Sequence, residues 1–256
     1  QLPNQHGFQH EIDARLMAPA SARVALVAVF ELRRWTQLAQ QEPSSAQRLL
    51  RTLSERFAEA VRAAASEAGQ REFLAARLGV DEFAACLFAP ASAAHGKHFL
   101  ERVIAALNQP LGWRGHLWSP AARAGGAFAP HHGGDSETLI RRARLAASAA
   151  ELSPTRAHLF TAALDRETAA KLSLERELRS GIERGEFRAY FQPKLNFRSG
   201  RIEACEALAR WTRPDQTIVG PGRFIPVAEE SGLIGPLAEA ILRDACWKAA
   251  AWARAG

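Results

Sequence analysis

The sequence predicts an α/β protein: a sheet with helices on both faces, followed by a second α/β body that opens on a β-hairpin. Three observations carry this. Residues 22–30 form a short, strongly apolar run of strand length. Residues 44–67 place Leu49, Leu50, Leu53, Phe57, Ala60 and Val61 at helical spacing. Residues 190–211 read as two alternating strands around a turn, Phe197-Arg198-Ser199-Gly200, in which Gly200 takes the positive φ that a tight turn needs. Helices that alternate with apolar strands bury their stripes on a sheet, which defines the layered α/β class.

Taken in order, residues 1–5 are a turn before a helix over 7–17. The strand over 22–30 follows, then helices over 31–40 and 44–67. Residues 73–77 and 82–88 are short strands around the compact turn Leu78-Gly79-Val80-Asp81. A helix over 98–107 stops at Pro110. Residues 113–128 are strand, interrupted at Ser119-Pro120. Asp135 or Ser136 caps a helix that runs to about Ala150. Residues 158–164 are an edge strand or loop. A helix over 163–183 carries Leu174, Leu178 and Ile182 as a stripe and Glu175–Arg179 as an i,i+4 pair, and Gly185 closes it. The last helix, from Gly235 to about Ala253, is expected to turn Leu237, Ile241, Ala245 and Trp252 inward, with Cys246 and Trp247 in the core.

Composition bounds the function. The chain has 256 residues, enough for two modest domains, with 47% apolar and 23% charged residues, a globular balance. The net charge of +6 is scattered through helices such as 140–144 and suits an anionic ligand. It forms no tract dense enough for DNA or RNA. Cys86, Cys205 and Cys246 are odd in number and far apart, which predicts buried thiols in a reducing compartment. No CxxC or histidine cluster offers a zinc site, and no 18-residue apolar run or signal-peptide pattern is present.

The hairpin concentrates chemistry. Alternation puts Tyr190 and Gln192 on one face of the first strand, and Ile202, Ala204, Glu206, Leu208 and Arg210 on one face of the second. Glu206 and Arg210 then stand roughly 13 Å apart, which suits a metal ligand beside a phosphate clamp better than an ion pair. A solvated strand end would show the same two residues.

The pieces YFQP (190–193), EAL (206–208), RW (210–211) and FIPVAEESGLI (224–234) resemble, in order, the opening of an EAL domain, the cyclic di-GMP phosphodiesterase family. LPNQ (2–5) and ARLGVDEF (76–83) resemble the opening and the signature hairpin of the GGDEF diguanylate cyclase family. The resemblance implies a degenerate GGDEF domain over 1–160, a linker helix over 161–184, and the N-terminal part of an EAL-type TIM-like barrel over 185–256.

For the barrel, the resemblance implies Glu206 as a metal ligand for magnesium or manganese. Gln192, Leu208 and Arg210 would lie at the bound dinucleotide, Leu208 being equally well explained as a core residue, and Glu229 would lie nearby. A barrel of this kind takes roughly 250 residues. This stretch is therefore expected to be part of a longer chain and, alone, not to turn over cyclic di-GMP. A raw sheet edge is expected.

For the first domain, the degenerate site comprises Glu31, Ala39, Gln40, Gly79, Val80, Asp81, Glu82 and Phe83. Glu31 replaces the first family aspartate, so metal binding is weakened or displaced. Ala39 and Gln40, and then Ala46-Gln47, replace the polar pairs that read guanine, and an unsatisfied base edge costs specificity. Val80 replaces a glycine and resists positive φ. Gln70 and Phe73 stand where the product-inhibition RxxD would be. Cyclase activity is not expected. A GTP-binding regulatory domain, a dimerising module and an inert scaffold remain open. The implied whole is a bacterial, cytoplasmic cyclic di-GMP protein: a phosphodiesterase, or alternatively a non-catalytic receptor signalling to a protein partner or as a homodimer.

Overall fold

The computed structural model describes residues 2–17, 24–33, 35, 38–39, 43–89, 92–113 and 116–255. The chain forms two compact units, Gln1–Asp165 and Arg166–Gly256.

The first unit is built around β1 (Ala25–Leu32), whose residues are buried apart from half-buried Glu31. A strand buried on both faces needs sheet on both sides and helices above and below. β1 runs antiparallel to β3 (Glu82–Phe88) and to β6 (Ala122–Ala129). β2 (Phe73–Arg77) flanks β3, and β7 (Ala157–Leu159) pairs parallel with β6, giving the order β2-β3-β1-β6-β7. A separate hairpin joins β4 (Leu111–Trp113) and β5 (His116–Trp118).

Alternation along β1 sorts its side chains into two cores. Leu26, Ala28, Phe30 and Leu32 pack with α2 (Pro43–Glu67) and α3 (Ala93–Leu107). Ala25, Val27 and Val29 pack with α1 (Gln5–Leu16) and α4 (Ser136–Ala149). The small residues of β6 let α4 lie almost on the backbone. A Cβ at Gly125 would come within 2.1 Å of the Ala143 carbonyl oxygen and the Ala147 nitrogen.

Several boundaries differ from those expected. Glu31 and Leu32 belong to β1, not to a helix, because ladder pairing continues through Glu31↔Glu82 and Leu32↔Ala122. The expected strand residues 22–23, and residues 34, 36, 37 and Gln40 of the expected 31–40 helix, lie outside the described residues. α3 begins five residues earlier than expected. Ser92 caps it, its Oγ accepting from the His95 N–H. Gly96 serves close packing there, since a Cβ would meet Phe128 at 2.6 Å. The strand expected over 113–128 breaks before Ala122, where Ala121 takes φ +52°.

The second unit holds most of α5 (Ala162–Glu183), with β8 (Phe187–Leu195), β9 (Ile202–Thr212), β10 (Ile218–Val219), α6 (Pro221–Glu230) and α7 (Ile234–Ala255). Its sheet order is β10-β9-β8. β8 and β9 pair antiparallel through the 197–200 turn. Gly200 has φ +64°, and the Asn196 side-chain oxygen accepts from the Arg198 and Ser199 N–H groups. Leu178, Phe187, Trp211, Phe224 and Leu237 form the core.

The expected raw edge of β8 is occupied at one place. The Ala189 N–H donates to Asp244 at 2.7 Å, and the Lys248 ammonium donates to the Ala189 carbonyl at 3.0 Å. These contacts also correct the expected face of α7. Leu237, Ile241, Asp244 and Lys248 form its inward stripe, so Cys246 points away and is exposed, and Trp247 is 68% exposed. Trp252 touches the Phe191 ring (4.6 Å between centroids) but is half exposed. Cys205 is exposed too, and Cys86 alone of the three thiols is buried.

Candidate functional site

Two places gather the residues singled out from the sequence. The first is one face of the β8–β9 hairpin. Register sets Gln192 directly opposite Glu206, Tyr190 opposite Leu208, and Arg188 opposite Arg210. Opposed residues of an antiparallel pair share a face with Cβ atoms about 4.5–5.5 Å apart. Gln192, Glu206, Leu208 and Arg210 therefore lie on one surface. The other face carries Phe187, Ala189 and Trp211, which are buried.

Glu206 has its carboxylate 3.5 Å from the Lys194 ammonium, with both side chains more than half exposed. Arg210 is half-buried, and its guanidinium donates to the adjacent Ala209 carbonyl at 2.8 Å. A groove of about 420 Å³ on this unit is lined by Phe191, Pro193, Ile202, Ala204 and Trp252, among others, and by none of the four residues. On the face itself Gln192 and Glu206 are exposed, and Leu208 and Arg210 are half-buried.

Lys194 was not singled out from the sequence. Counting by two from Gln192 reaches it, which is the signal that marks it. Glu229 is on α6, away from this strand face in sequence, and exposed.

A divalent cation fits Glu206 as one ligand: the carboxylate is more than half exposed, and its ion-pair partner among the described residues is the exposed Lys194. Among the described residues no group of three or more His, Cys, Asp or Glu is close enough to hold a metal ion.

The second place is the end of the first unit's sheet. The 78–82 turn is closed by the Leu78 and Gly79 N–H groups donating to the Glu82 carbonyl at 2.9 and 3.1 Å. The Leu32 N–H donates to the Asp81 carbonyl at 2.8 Å. Neither Gly79 nor Val80 adopts positive φ, so the valine is accommodated without strain, and its side chain is 65% exposed. Phe83 is a core residue, its ring 4.9 Å from that of Phe57. Ala39 is half-buried against the same core, and Ala46 is buried. Gln47 lines a cavity of about 1010 Å³ with Asn4, Arg48, Arg51 and Arg77.

Glu31 and Glu82 face each other across β1 and β3, and Glu31 faces Arg123 across β1 and β6. Both carboxylates are held by arginine. Arg123 Nε donates to Glu31 at 2.8 Å, and Arg123 also binds Glu151, which takes Arg33 at 3.2 Å. Arg144, from α4, grips both oxygens of Glu82 at 2.7 Å each. That grip raises the Arg144 pKa first, with a further push from nearby Glu31 against the opposing cost of burial. Glu31 and Glu82 as they stand do not offer a divalent cation a free pair of carboxylates, because Arg144 takes both oxygens of Glu82 and Arg123 takes Oε2 of Glu31. The sequence signal for this was Arg123, a charge inside a strand of alanine and glycine, which burial obliges to find a partner.

Comparison with known proteins agrees with this division. Residues 1–156 match the family described as diguanylate cyclase, GGDEF domain, and residues 175–256 match the EAL domain. The cyclic di-GMP phosphodiesterase NbdA of Pseudomonas aeruginosa is 30% identical over 204 residues, 79% of this chain and 25% of that protein. An uncharacterized signaling protein of Caulobacter vibrioides is 35% identical over 188 residues, 72% of this chain and 23% of that one. Signaling protein YkoW of Bacillus subtilis is 31% identical over 179 residues, 69% of this chain and 22% of that one. The chain thus spans a quarter or less of these relatives. Among solved structures, the GGDEF domain of TpbB (YfiN) from Pseudomonas aeruginosa superposes with TM-score 0.55 at 24% identity, covering 66% of this chain and 95% of that one. The likeness extends to fold. No helix among the described residues is long and apolar enough to cross a membrane.

Proposed function

The chain belongs to the GGDEF–EAL family, a GGDEF domain followed by EAL-domain sequence, and from that premise we propose that the whole protein hydrolyses cyclic di-GMP to pGpG on its EAL domain, with a GGDEF domain that regulates or dimerises rather than synthesises. The observation that carries this reading is the placing of Gln192, Glu206, Leu208 and Arg210 on one strand face.

Each residue has a chemical part. Glu206 would be one ligand of a hard cation, magnesium or manganese, which would supply positive charge to activate water and offset phosphate charge. Arg210 presents a planar fork to a phosphate oxygen pair and fixes the phosphodiester. Gln192, beside Glu206, offers an amide to the dinucleotide, and Leu208 gives the base or ribose an apolar wall. In the GGDEF domain, where the resemblance makes Glu31 and Asp81 the metal-holding carboxylates, the pairing of Glu31 with Arg123 supports loss of cyclase chemistry, which needs those carboxylates free to bind metal.

The Lys194 ammonium near Glu206 favours a second reading, a receptor that binds cyclic di-GMP without cleaving it, because the lysine competes for the charge a metal would use. Assay of pGpG formation by the whole protein with manganese or magnesium separates the two. Hydrolysis that falls more than about 100-fold in Glu206→Gln supports the phosphodiesterase. Binding without turnover supports the receptor. GTP titration of the same protein tests the GGDEF domain, for which no saturable binding is expected.

A further inference from the structure

We propose that Arg123 and Arg144 are permanent counter-cations of the acidic end of the first unit's sheet, so that this GGDEF domain folds with no divalent cation at its signature hairpin. The inference rests on the reading of this domain as non-synthesising only for locating the site.

The charges show why a cation is needed there. Glu31 and Glu82 are directly opposed across antiparallel strands, where like charges destabilise the pairing. Something positive must sit between or beside them. Two arginines do so from different elements, Arg123 from β6 and Arg144 from α4. With Glu151 and Arg33 the group contains three carboxylates, Glu31, Glu82 and Glu151, and three guanidiniums, Arg33, Arg123 and Arg144. Its net charge is zero.

The exposures make the arrangement hard to undo. The Arg123 side chain is 9% exposed and that of Glu82 16%. Breaking a buried pair leaves an uncompensated charge, which is strongly destabilising. Arginine does not lose its proton in proteins, so the counter-charge persists at any ordinary pH. A dication entering between Glu31 and Glu82 would have to displace the Arg144 fork from Glu82 and Arg123 from one oxygen of Glu31, and share the space with two monocations, one of them buried. Arg144 is the more exposed of the two, at 40% against 9% for Arg123. Removing it frees both oxygens of Glu82 beside Glu31 and leaves a latent seat for a divalent cation.

The test is thermal unfolding of the first unit within the full chain, in EDTA and in excess manganese. Every protein carries Glu206→Gln, so that the second unit's carboxylate does not report. With both arginines present, the melting temperature is expected to be the same in both conditions. Arg144→Met is expected to melt roughly 5 °C lower in EDTA and to regain much of that loss in manganese. Arg144→Lys, which keeps a cation without the fork, is expected to fall between and respond weakly. Manganese stabilising the protein with both arginines as much as Arg144→Met overturns the proposal, as does indifference of Arg144→Met to manganese. If Arg144→Met does not fold in EDTA, folding on addition of manganese supports the proposal and failure to fold in both overturns it. Cyclic di-GMP formed from GTP would instead overturn the non-synthesising reading, and is scored separately.

Discussion

Burial decides how the three thiols behave. Burial pushes the Cys86 thiol well up from its ordinary value, with only slight relief from Arg15, while Cys205 and Cys246 are exposed. Thiolate is the reactive form. Titration of the native protein with a thiol reagent is expected to show two fast groups and one that reacts only on unfolding. Three fast groups would contradict the burial of Cys86. The sequence placed all three among apolar neighbours, and local composition did not reveal which strand or helix face each occupies. Cys246 is the clear case, since Asp244 and Lys248 draw the opposite face of its helix to the edge of β8.

His132 gives a pH signature. Its Nδ1 accepts from the Phe128 N–H at 3.0 Å, and its ring lies 5.0 Å from that of Phe160. Burial lowers its pKa, helped by Arg142 and then His131. A histidine depressed in the folded state binds protons more readily when unfolded. Its stability contribution is complete above the unfolded value of about 6.5 and is lost as pH falls toward the folded value. Melting temperature between about pH 7 and pH 5 is expected to drop more steeply than in His132→Asn, which keeps an acceptor oxygen without the titration. Equal slopes would contradict this.

At the scale of elements, close approach is the governing fact. α4 rests on β6 at Gly125, where backbone atoms of the helix leave no room for a Cβ. Gly125→Val is expected to cost at least about 3 kcal/mol by denaturant unfolding, because the helix must lift from the sheet. A change under 1 kcal/mol, in the same roughly 1–3 kcal/mol frame for overpacking, would contradict the contact. Elements of strong periodicity were legible: β2, β3, α4 and α5 lie where spacing and caps put them, and of the two cap candidates, Asp135 and Ser136, it is Asp135 that caps α4 through its side chain. Glu31 was misplaced because local pattern in ELRRWTQLAQ favours a helix, whereas the ladder to Glu82 and Ala122 is non-local. The hairpin faces from Ala204 to Arg210 were legible from alternation alone, but Ile202, expected on the Glu206 face, pairs with Leu195 across a register shift that alternation does not reveal. The pairing of Gln192 with Glu206 was not legible either, because register depends on where the turn begins.

At the scale of the molecule, the two units carry different charge logic. In the first, acids and guanidiniums close on each other into a neutral cluster. In the second, an exposed acid, a half-buried arginine and an exposed amide share one face, with Lys194 3.5 Å from the acid. That contrast is the physical ground for assigning ligand chemistry to the EAL side of the protein. Motif order revealed the contrast only in outline, since the pairing of Arg123 and Arg144 requires strands and a helix distant in sequence. The most direct measurement is equilibrium titration of cyclic di-GMP into the whole protein and into its Arg210→Ala variant. Saturable binding that weakens at least about tenfold on losing the charged fork is the predicted result. Absence of binding, or equal binding by both proteins, would contradict the account.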